Sequence, residues 1–391
     1  MGYQTGENRT KNIFMTDTLK IARLAVTMPK LSRYGGAEAF AWRLSEALAA
    51  RGYDVDFICA RCDGEPPDGV TPVVLGRFGV FRFVKVLWFA YASDKAVTKG
   101  DYDLVFGMGK TVNQDILRIG GGPQSKFWEL SKRAWPKGFA RSFKMLRRRC
   151  SPANWAIHFL DKARMRRTPC IVAVSHLVRD WIVEAHPHLN AADIDVVYNR
   201  PDLSRFSPVG GQERIRLRAA SGIKDDQVVI ATAATNFALK GIRYLVDMLA
   251  RLPEKFVLHV AGGRNPDKYL RQARELGVEH RVRFFGRVDD MPAFYRAADI
   301  FILATFYDAC SNAVLEAMAC GCRALSSSLN GSSYFLPEKW IFPDPADVPA
   351  MAELVLRVSK EERPGPLEWP EDVVSGLEPF IEMIEKRLVG K

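Results

Sequence analysis

At 391 residues the chain is too long for one ordinary hydrophobic core, and a span of roughly 100–200 residues per domain predicts two. Hydrophobic residues at 48% and charged residues at 26% exclude a disordered or fibrous chain, and no run approaches the ~18–20 apolar residues of a membrane-spanning helix. The formal charge of +11 is local rather than spread over the fold: residues 126–167 hold 13 Lys and Arg against Glu129 and Asp161, and the other 43 cations and 43 anions balance.

Residues 1–20 read as a polar N-terminal extension. Glu7, Arg9, Lys11 and Asp17 stand where a secretory signal has its apolar middle, so the expected location is cytoplasmic. Seven cysteines, an odd number, then read as reduced thiols. Ile21 to Thr27 (IARLAVT) predicts a buried strand. After a loop with proline and glycine, Ala37, Phe40, Ala41, Leu44 and Leu48 recur at helical spacing, and Gly52 ends that helix. Val55 to Ala60 is a second apolar run and completes the strand-helix-strand unit of a parallel sheet. Cys59 and Cys62 form a lone CxxC at its end; with no second pair at zinc-site spacing they read as small hydrophobes. Leu104 to Gly107 and Ile171 to Ser175 supply further strands, and Asp195 to Asn199 closes this half.

The pattern restarts after Pro201 and Pro208. Strands are predicted at Val228 to Ala233, Phe256 to Ala261, Val282 to Phe285 and Ile300 to Ala304. Helices alternate with them at Gly241 to Leu252, Pro266 to Leu276, Met291 to Ala298 and Asn312 to Ala319. The expectation is an α/β chain of two Rossmann-like, doubly wound domains facing a central cleft. Its parts are an extension at 1–20, an N-terminal domain at 21–203, a C-terminal domain at 204–365 and a helical tail at 366–391. The two prolines near residues 200–210 suit a hinge.

Three segments carry candidate chemistry. Gly35 and Gly36 lie between the first strand and its helix, where glycine lets backbone amides approach a phosphate; simple turn chemistry is the competing account. In Asn236 to Gly241 (NFALKG), Lys240 follows a strand and stands where a donor diphosphate would lie, unless it is only a solvated lysine opening a surface helix. In Tyr307 to Gly321, Asp308 falls in a loop at a strand's carboxyl end and Glu316 about one turn into the next helix. Ser311, Asn312 and Ala313 between them offer backbone amides and a helix dipole to a phosphate. The plainer account makes Ser311 or Asn312 an N-cap and Glu316 an exposed helix residue. Asp101 and Asp103 form a DxD that reads as a solvated strand entrance rather than a metal site. His176 follows a strand end, where it could line the cleft, and no histidine is paired for zinc.

Tyr307 to Gly321 (YDACSNAVLEAMACG) resembles the E-x7-E element of the family-four, or group 1, retaining glycosyltransferases, with Asp308 in place of the first Glu. The resemblance extends in order through Gly35–Gly36, VAVSHLVRDWI, DVVYNRPDLSRFSP, the Lys240–Gly241 pair and FFGRVDDMPAFYRAADIFILAT. It spans the chain from about residue 21 to the tail and is most similar to lipopolysaccharide core glycosyltransferases. The resemblance implies the GT-B architecture, with an N-terminal acceptor domain and a C-terminal nucleotide-sugar domain. It implies Lys240, Asp308 and Asp115 as catalytic residues. Donor binding falls to Gly35, Gly36, Asn236, Lys240, Asp308, Ser311, Asn312, Ala313 and Glu316. In that pattern Asp308 meets the donor sugar, Asn312 and Ala313 the diphosphate, Glu316 the ribose and Lys240 the phosphates. Asn236 replaces an Arg common among relatives, so a phosphate-binding cation is either missing or replaced by a neighbour such as Arg243. In DILRIGGGPQSKF (Asp115 to Phe127), Arg118 and Gly121 become acceptor-binding candidates, the glycines 120–122 permitting close approach.

The expected activity is retaining, metal-independent transfer of a hexose-type sugar from a UDP- or GDP-linked donor to a glycolipid or envelope glycan, lipopolysaccharide core first. No cofactor, metal or covalent nucleophile is expected. Residues 126–167 interleave cations with Phe127, Trp128, Trp135, Phe139, Phe143, Trp155 and Phe159, a composition suited to the anionic inner face of the plasma membrane. A solvated helical face is the competing account of that window, and nucleic acid is not an expected partner. Competing readings of the whole chain are a non-catalytic binding module for anionic lipid or nucleic acid and a GT-B sugar-nucleotide epimerase.

Overall fold

A computed structural model describes residues 21–390 apart from Arg264; the extension at 1–20 lies outside the described residues. In chain order the first half runs β1 (Arg23–Thr27), β2 (Lys30–Leu31), α1 (Gly36–Ala50), β3 (Asp54–Cys59), β4 (Arg61–Cys62) and β5 (Val70–Val74). There follow α2 (Arg82–Gly100), β6 (Leu104–Gly107), β7 (Ile116–Ile119), α3 (Gln124–Ser131), α4 (Phe139–Arg149) and α5 (Pro152–Arg167). It closes with β8 (Cys170–Ala173), α6 (His176–Ala185) and β9 (Ile194–Val196). Seven strands form a parallel sheet in the order β5-β3-β1-β6-β7-β8-β9, and β2 pairs with β4 in a separate ribbon. Helices cover the sheet, so β6, β7 and β8 are buried at every position and read as continuous runs rather than alternating ones.

The second half runs α7 (Gly211–Ala220), β10 (Val228–Ala233), α8 (Ile242–Leu249), β11 (Phe256–Ala261), α9 (Asp267–Glu275) and β12 (Val282–Gly286). It continues through α10 (Met291–Ala297), β13 (Ile300–Leu303), α11 (Asn312–Ala319), β14 (Arg323–Ser327), β15 (Ile341–Phe342) and α12 (Val348–Val358). Its parallel sheet has the order β12-β11-β10-β13-β14-β15. Strand order reverses at β1 in one sheet and at β10 in the other, and open α/β sheets place their ligands outside the carboxyl ends of strands at such points.

The last helix, α13 (Glu378–Val389), returns to the first half. Phe380, Ile381 and Ile384 are buried in the core built by α1, β1, β3 and β6, and the Phe380 ring lies 5.0 Å from Phe40 and 5.8 Å from Phe106. Burying three such side chains contributes roughly 5–9 kcal/mol, so the expected tail is part of the first half's core.

Two elements carry no clear apolar period: β5 contains Pro72, and α2 turns Leu87 and Tyr91 to solvent. A third, β7, lies within the segment expected to be an acceptor loop and is buried throughout. The seven cysteines are free thiols, and Cys59, fully buried, has its thiol pushed up to about 11 by burial.

Candidate functional site

A cavity of about 880 Å3 opens between the carboxyl ends of the two sheets. Gly36, Arg118, Gly120 and Asn199 line it from the first half; Thr235, Lys240, Gly262, Arg287, Asp308 and Ser311 to Ala313 line it from the second. The cavity therefore gathers the glycine pair, the lysine turn and the 308–316 segment, which are far apart in sequence.

Local backbone chemistry sets Lys240. Gly241 has φ 67°, and a Cβ there would stand 2.1 Å from the Ala304 carbonyl oxygen, so only glycine lets the turn press onto the end of β13. The Asn236 side chain accepts the Leu239 amide at 3.2 Å and its carbonyl accepts the Lys240 amide at 3.0 Å. Asn236 thus shapes the turn, and Thr235 faces the cavity in its place. The Lys240 ammonium is paired with the Asp308 carboxylate, both side chains less than one-fifth exposed.

Asp308 is held by a residue that the motif did not suggest. Asn330, 2% exposed, accepts the Ser311 amide at 3.2 Å and the Ser332 amide at 3.1 Å, and donates to Ser326 Oγ at 3.0 Å. Its backbone bridges to Asp308 in parallel fashion. Next to it, a Cβ on Gly331 would meet the Ala309 carbonyl at 1.9 Å, which fixes glycine there. With the Ser311 amide taken, the residues that open α11, Asn312 and Ala313, line the cavity, and the Ser311 side chain does not cap the helix. The first amides of a helix lack intrahelical acceptors and carry about half a positive charge.

The Asn312 side chain has a second task. Its Oδ1 accepts Asn199 Nδ2 at 2.8 Å, and a Cβ on Gly36 would stand 3.8 Å from its Nδ2. Asn199 in turn accepts from Arg118 at 2.8 Å. Arg118 is 4% exposed, lies on β7, stacks 3.9 Å from the centre of the Phe40 ring and keeps Nε without a partner. Burial lowers it to about 10, Cys310 opposing and Arg43 adding to the shift, so it enters the cavity wall as a cation at neutral pH.

Several expectations need correction. The Asp115 carboxylate accepts the Val105 amide at 2.8 Å at the amino-terminal entrance of β7, the end away from the cavity. It therefore braces two strands and does not reach the site. Gly121 accepts Tyr307 Oη at 3.2 Å, and a Cβ on Gly122 would meet that oxygen at 2.6 Å and Trp181 at 2.9 Å. The glycine loop yields to Tyr307, which stacks on Trp181 at 4.7 Å; of its three glycines only Gly120 lines the cavity. Glu316 is half-buried one turn behind Asn312, takes a hydrogen bond from Tyr295 Oη at 3.2 Å and does not line the cavity; partial burial raises its carboxyl above the usual range. Arg243 lies by Asp247 outside the cavity, whereas Arg287 lines it. Gly35, at φ 105°, caps α1 behind Gly36. Asp103 stands at the strand entrance where the sequence placed it, accepting the Arg23 amide at 2.8 Å at the start of β6, whereas His176 contacts Tyr198 at 2.9 Å and does not line the cavity. Among the described residues no three His, Cys, Asp or Glu side chains converge.

Residues 226–361 match the family model for glycosyl transferases group 1, and residues 34–112 match that for glycosyltransferase family 4. Together the two take in more than half of the chain. It belongs to the group 1 glycosyltransferases. Relatives of this glycosyltransferase include the lipopolysaccharide core biosynthesis glycosyltransferase LpsE of Rhizobium meliloti, 27% identical over 180 residues, covering 42% of this chain and 53% of LpsE. The lipopolysaccharide glucosyltransferase WaaG of Escherichia coli is 27% identical over 162 residues, covering 40% of this chain and 43% of WaaG. The chain thus spans about half the length of the curated relatives it matches. A crystal structure of WaaG superposes with a TM-score of 0.72 at 20% identity, covering 86% and 90% of the two chains. HepE of Anabaena, solved with UDP-glucose, gives 0.61 at 16% identity over 85% and 89%. The fold is GT-B, two parallel-sheet domains about one cleft.

The basic window forms α3 to α5. On α4, Phe139, Phe143 and Leu146 recur at i, i+4 and i+7 and are 86%, 59% and 58% exposed, with Lys144 and Arg147 to Arg149 on the same helix. Phe159 on α5 is also exposed. Among the described residues no helix is long and apolar enough to cross a membrane.

Proposed function

We propose that the chain is a retaining, metal-independent glycosyltransferase that moves a hexose-type sugar from a UDP- or GDP-linked donor to a lipid-linked or envelope glycan acceptor. Lipopolysaccharide core is the acceptor class favoured by the named relatives. The observation that carries the reading is one cavity in which the Lys240 and Asp308 pair, the open end of α11 and Gly36 converge. Lys240 and the α11 amides offset the charge that grows on the departing diphosphate, which supports departure without a metal ion. Asp308 receives the donor sugar's hydroxyls. The bond from the anomeric carbon to the diphosphate breaks, the acceptor oxygen bonds to that carbon from the same face, and its proton leaves with the diphosphate oxygen. Bound UDP-glucose in HepE supports a nucleotide sugar as donor.

The exposed apolar face of α4, flanked by cations, supports attachment to the anionic inner face of the plasma membrane, each basic residue adding about 1 kcal/mol near such a surface. A panel of UDP- and GDP-sugars scored by thermal stabilisation tests the donor: at 100 times its dissociation constant a ligand adds about 2.7 kcal/mol. Transfer is then followed with chelator present and the anomeric configuration of the product read by NMR. Absence of stabilisation by every nucleotide sugar refutes the reading; inversion, or loss of transfer on chelation, refutes its mechanism.

A further inference from the structure

A second cavity, about 350 Å3, lies in the first half and shares no lining residue with the central one. Its polar lining consists of six cations: Lys30, Arg61, Arg77, Arg82, Lys85 and Lys110. They come from the segments after β1 (Lys30), β3 (Arg61), β5 (Arg77) and β6 (Lys110), and from the start of α2. The cavity therefore opens at the carboxyl ends of the strands, as the central one does. The loop that begins at Pro29 and Lys30 ends at Gly36 in the central cavity.

We propose that this cavity is an anion subsite holding a phosphomonoester or diphosphate carried by the acceptor. One carboxylate answers the six cations: Asp63, 2.8 Å from Lys30 and 3.4 Å from Arg61. Among the described residues no carboxylate forms an ion pair with Arg77, Arg82, Lys85 or Lys110. Asp161, the acid nearest in effect to Lys110, is already bound by Arg164 and by the Gln124 amide. Burial, with Arg82 and Arg164 nearby, depresses the Lys110 ammonium, as expected where a cation lacks its counter-charge.

Arg82 and Lys85 add an independent sign. They occupy the first turn of α2, which contains no acidic residue and whose N-cap makes no side-chain bond. Cations at a helix N-terminus oppose its dipole, so this turn is arranged against its own stability unless an anion joins it. A phosphate there meets the helix end and the cations together. The assignment of the phosphate to an acceptor rests on the proposed glycosyl transfer; the presence of the subsite does not.

Calorimetric titration of the full chain with inorganic phosphate, and then pyrophosphate, tests the subsite. In R82A/K85A, whose side chains are exposed, the dissociation constant should rise at least tenfold, while in Lys240→Met a site of unchanged affinity should remain. The melting temperature of R82A/K85A without phosphate should equal or exceed that of the unmodified chain, because the helix end is relieved. An unchanged dissociation constant, loss of all binding in Lys240→Met, or a lower phosphate-free melting temperature in R82A/K85A overturns the proposal. Competition then separates the sources. Displacement of phosphate by phosphatidic acid in phosphatidylcholine vesicles assigns a lipid headgroup, displacement by glucose 6-phosphate assigns a sugar-borne phosphate, and displacement by neither overturns the subsite. None of these readouts involves a nucleotide sugar, so failure of the donor reading would be seen separately.

Discussion

Lys240 and Asp308 allow the chemical task of the site to be separated from its structural one. In Lys240→Met the Asp308 carboxylate, less than one-fifth exposed, loses its counter-charge. A hydrogen bond to a charged group contributes about 1.5–3 kcal/mol, and the group left unpaired adds its own desolvation. At this partial burial the loss should be about 2 kcal/mol, or roughly 4–8 °C in the melting of a unit of this size. Asp308→Asn alone should destabilise similarly. The double variant K240M/D308N leaves no orphan charge and should recover at least half of that stability. Transfer should behave differently. In the proposed transfer Lys240 acts on charge that develops at the diphosphate, so its loss should lower kcat by about 10²–10³, the magnitude found when one preorganised donor is removed, and Asp308→Asn should not restore it. Melting curves and initial rates for the three variants complete the cycle. If K240M/D308N regains both stability and transfer, the pair is a structural clip and the lysine has no role at the leaving group.

Gly122→Ala should destabilise by about 2–4 kcal/mol, since its Cβ would meet Tyr307 Oη at 2.6 Å and force the stack on Trp181 apart. Gly121→Ala, with nothing within 4 Å of the added carbon, should melt within a degree of the parent, and equal behaviour of the two refutes this account. Burial, with Arg283 and Arg218 adding, lowers His259 to about 4 from 6.5. Its folded value lies below its unfolded one, so the contribution is present above pH 6.5 and is lost as pH falls towards 4, at most roughly 3 kcal/mol. Denaturant midpoints of His259→Gln should flatten across that window, and an unchanged slope counts against the assignment. F139S/F143S/L146S removes the solvent-facing apolar face of α4 and should weaken binding to phosphatidylserine vesicles about a hundredfold, on the order of 3 kcal/mol, with little change in melting. Undiminished sedimentation with the vesicles would refute a membrane role for that face.

What was legible in the sequence follows how far apart the interacting groups lie. The helix Asn312 to Ala319 is observed at its expected bounds, because a turn, a polar entry and a run of apolar residues are all local signals. Lys240 was likewise legible through the glycine that follows it. Arg118 came into view only through the family resemblance, as an acceptor-binding candidate; its place in the middle of a four-residue buried strand is set by Asn199, 81 positions away, and by the Phe40 ring. Gly122 is set by Tyr307, α13 by a core assembled at the other end of the chain, and Arg287 by a cavity that no local pattern marks. Yet two positions in the first half break a local rule. A buried cation interrupts β7, and two cations oppose the dipole that opens α2. Both positions line cavities at the carboxyl ends of the same sheet. On the two proposals above, an anionic ligand at each cavity offsets the charge that both arrangements leave there.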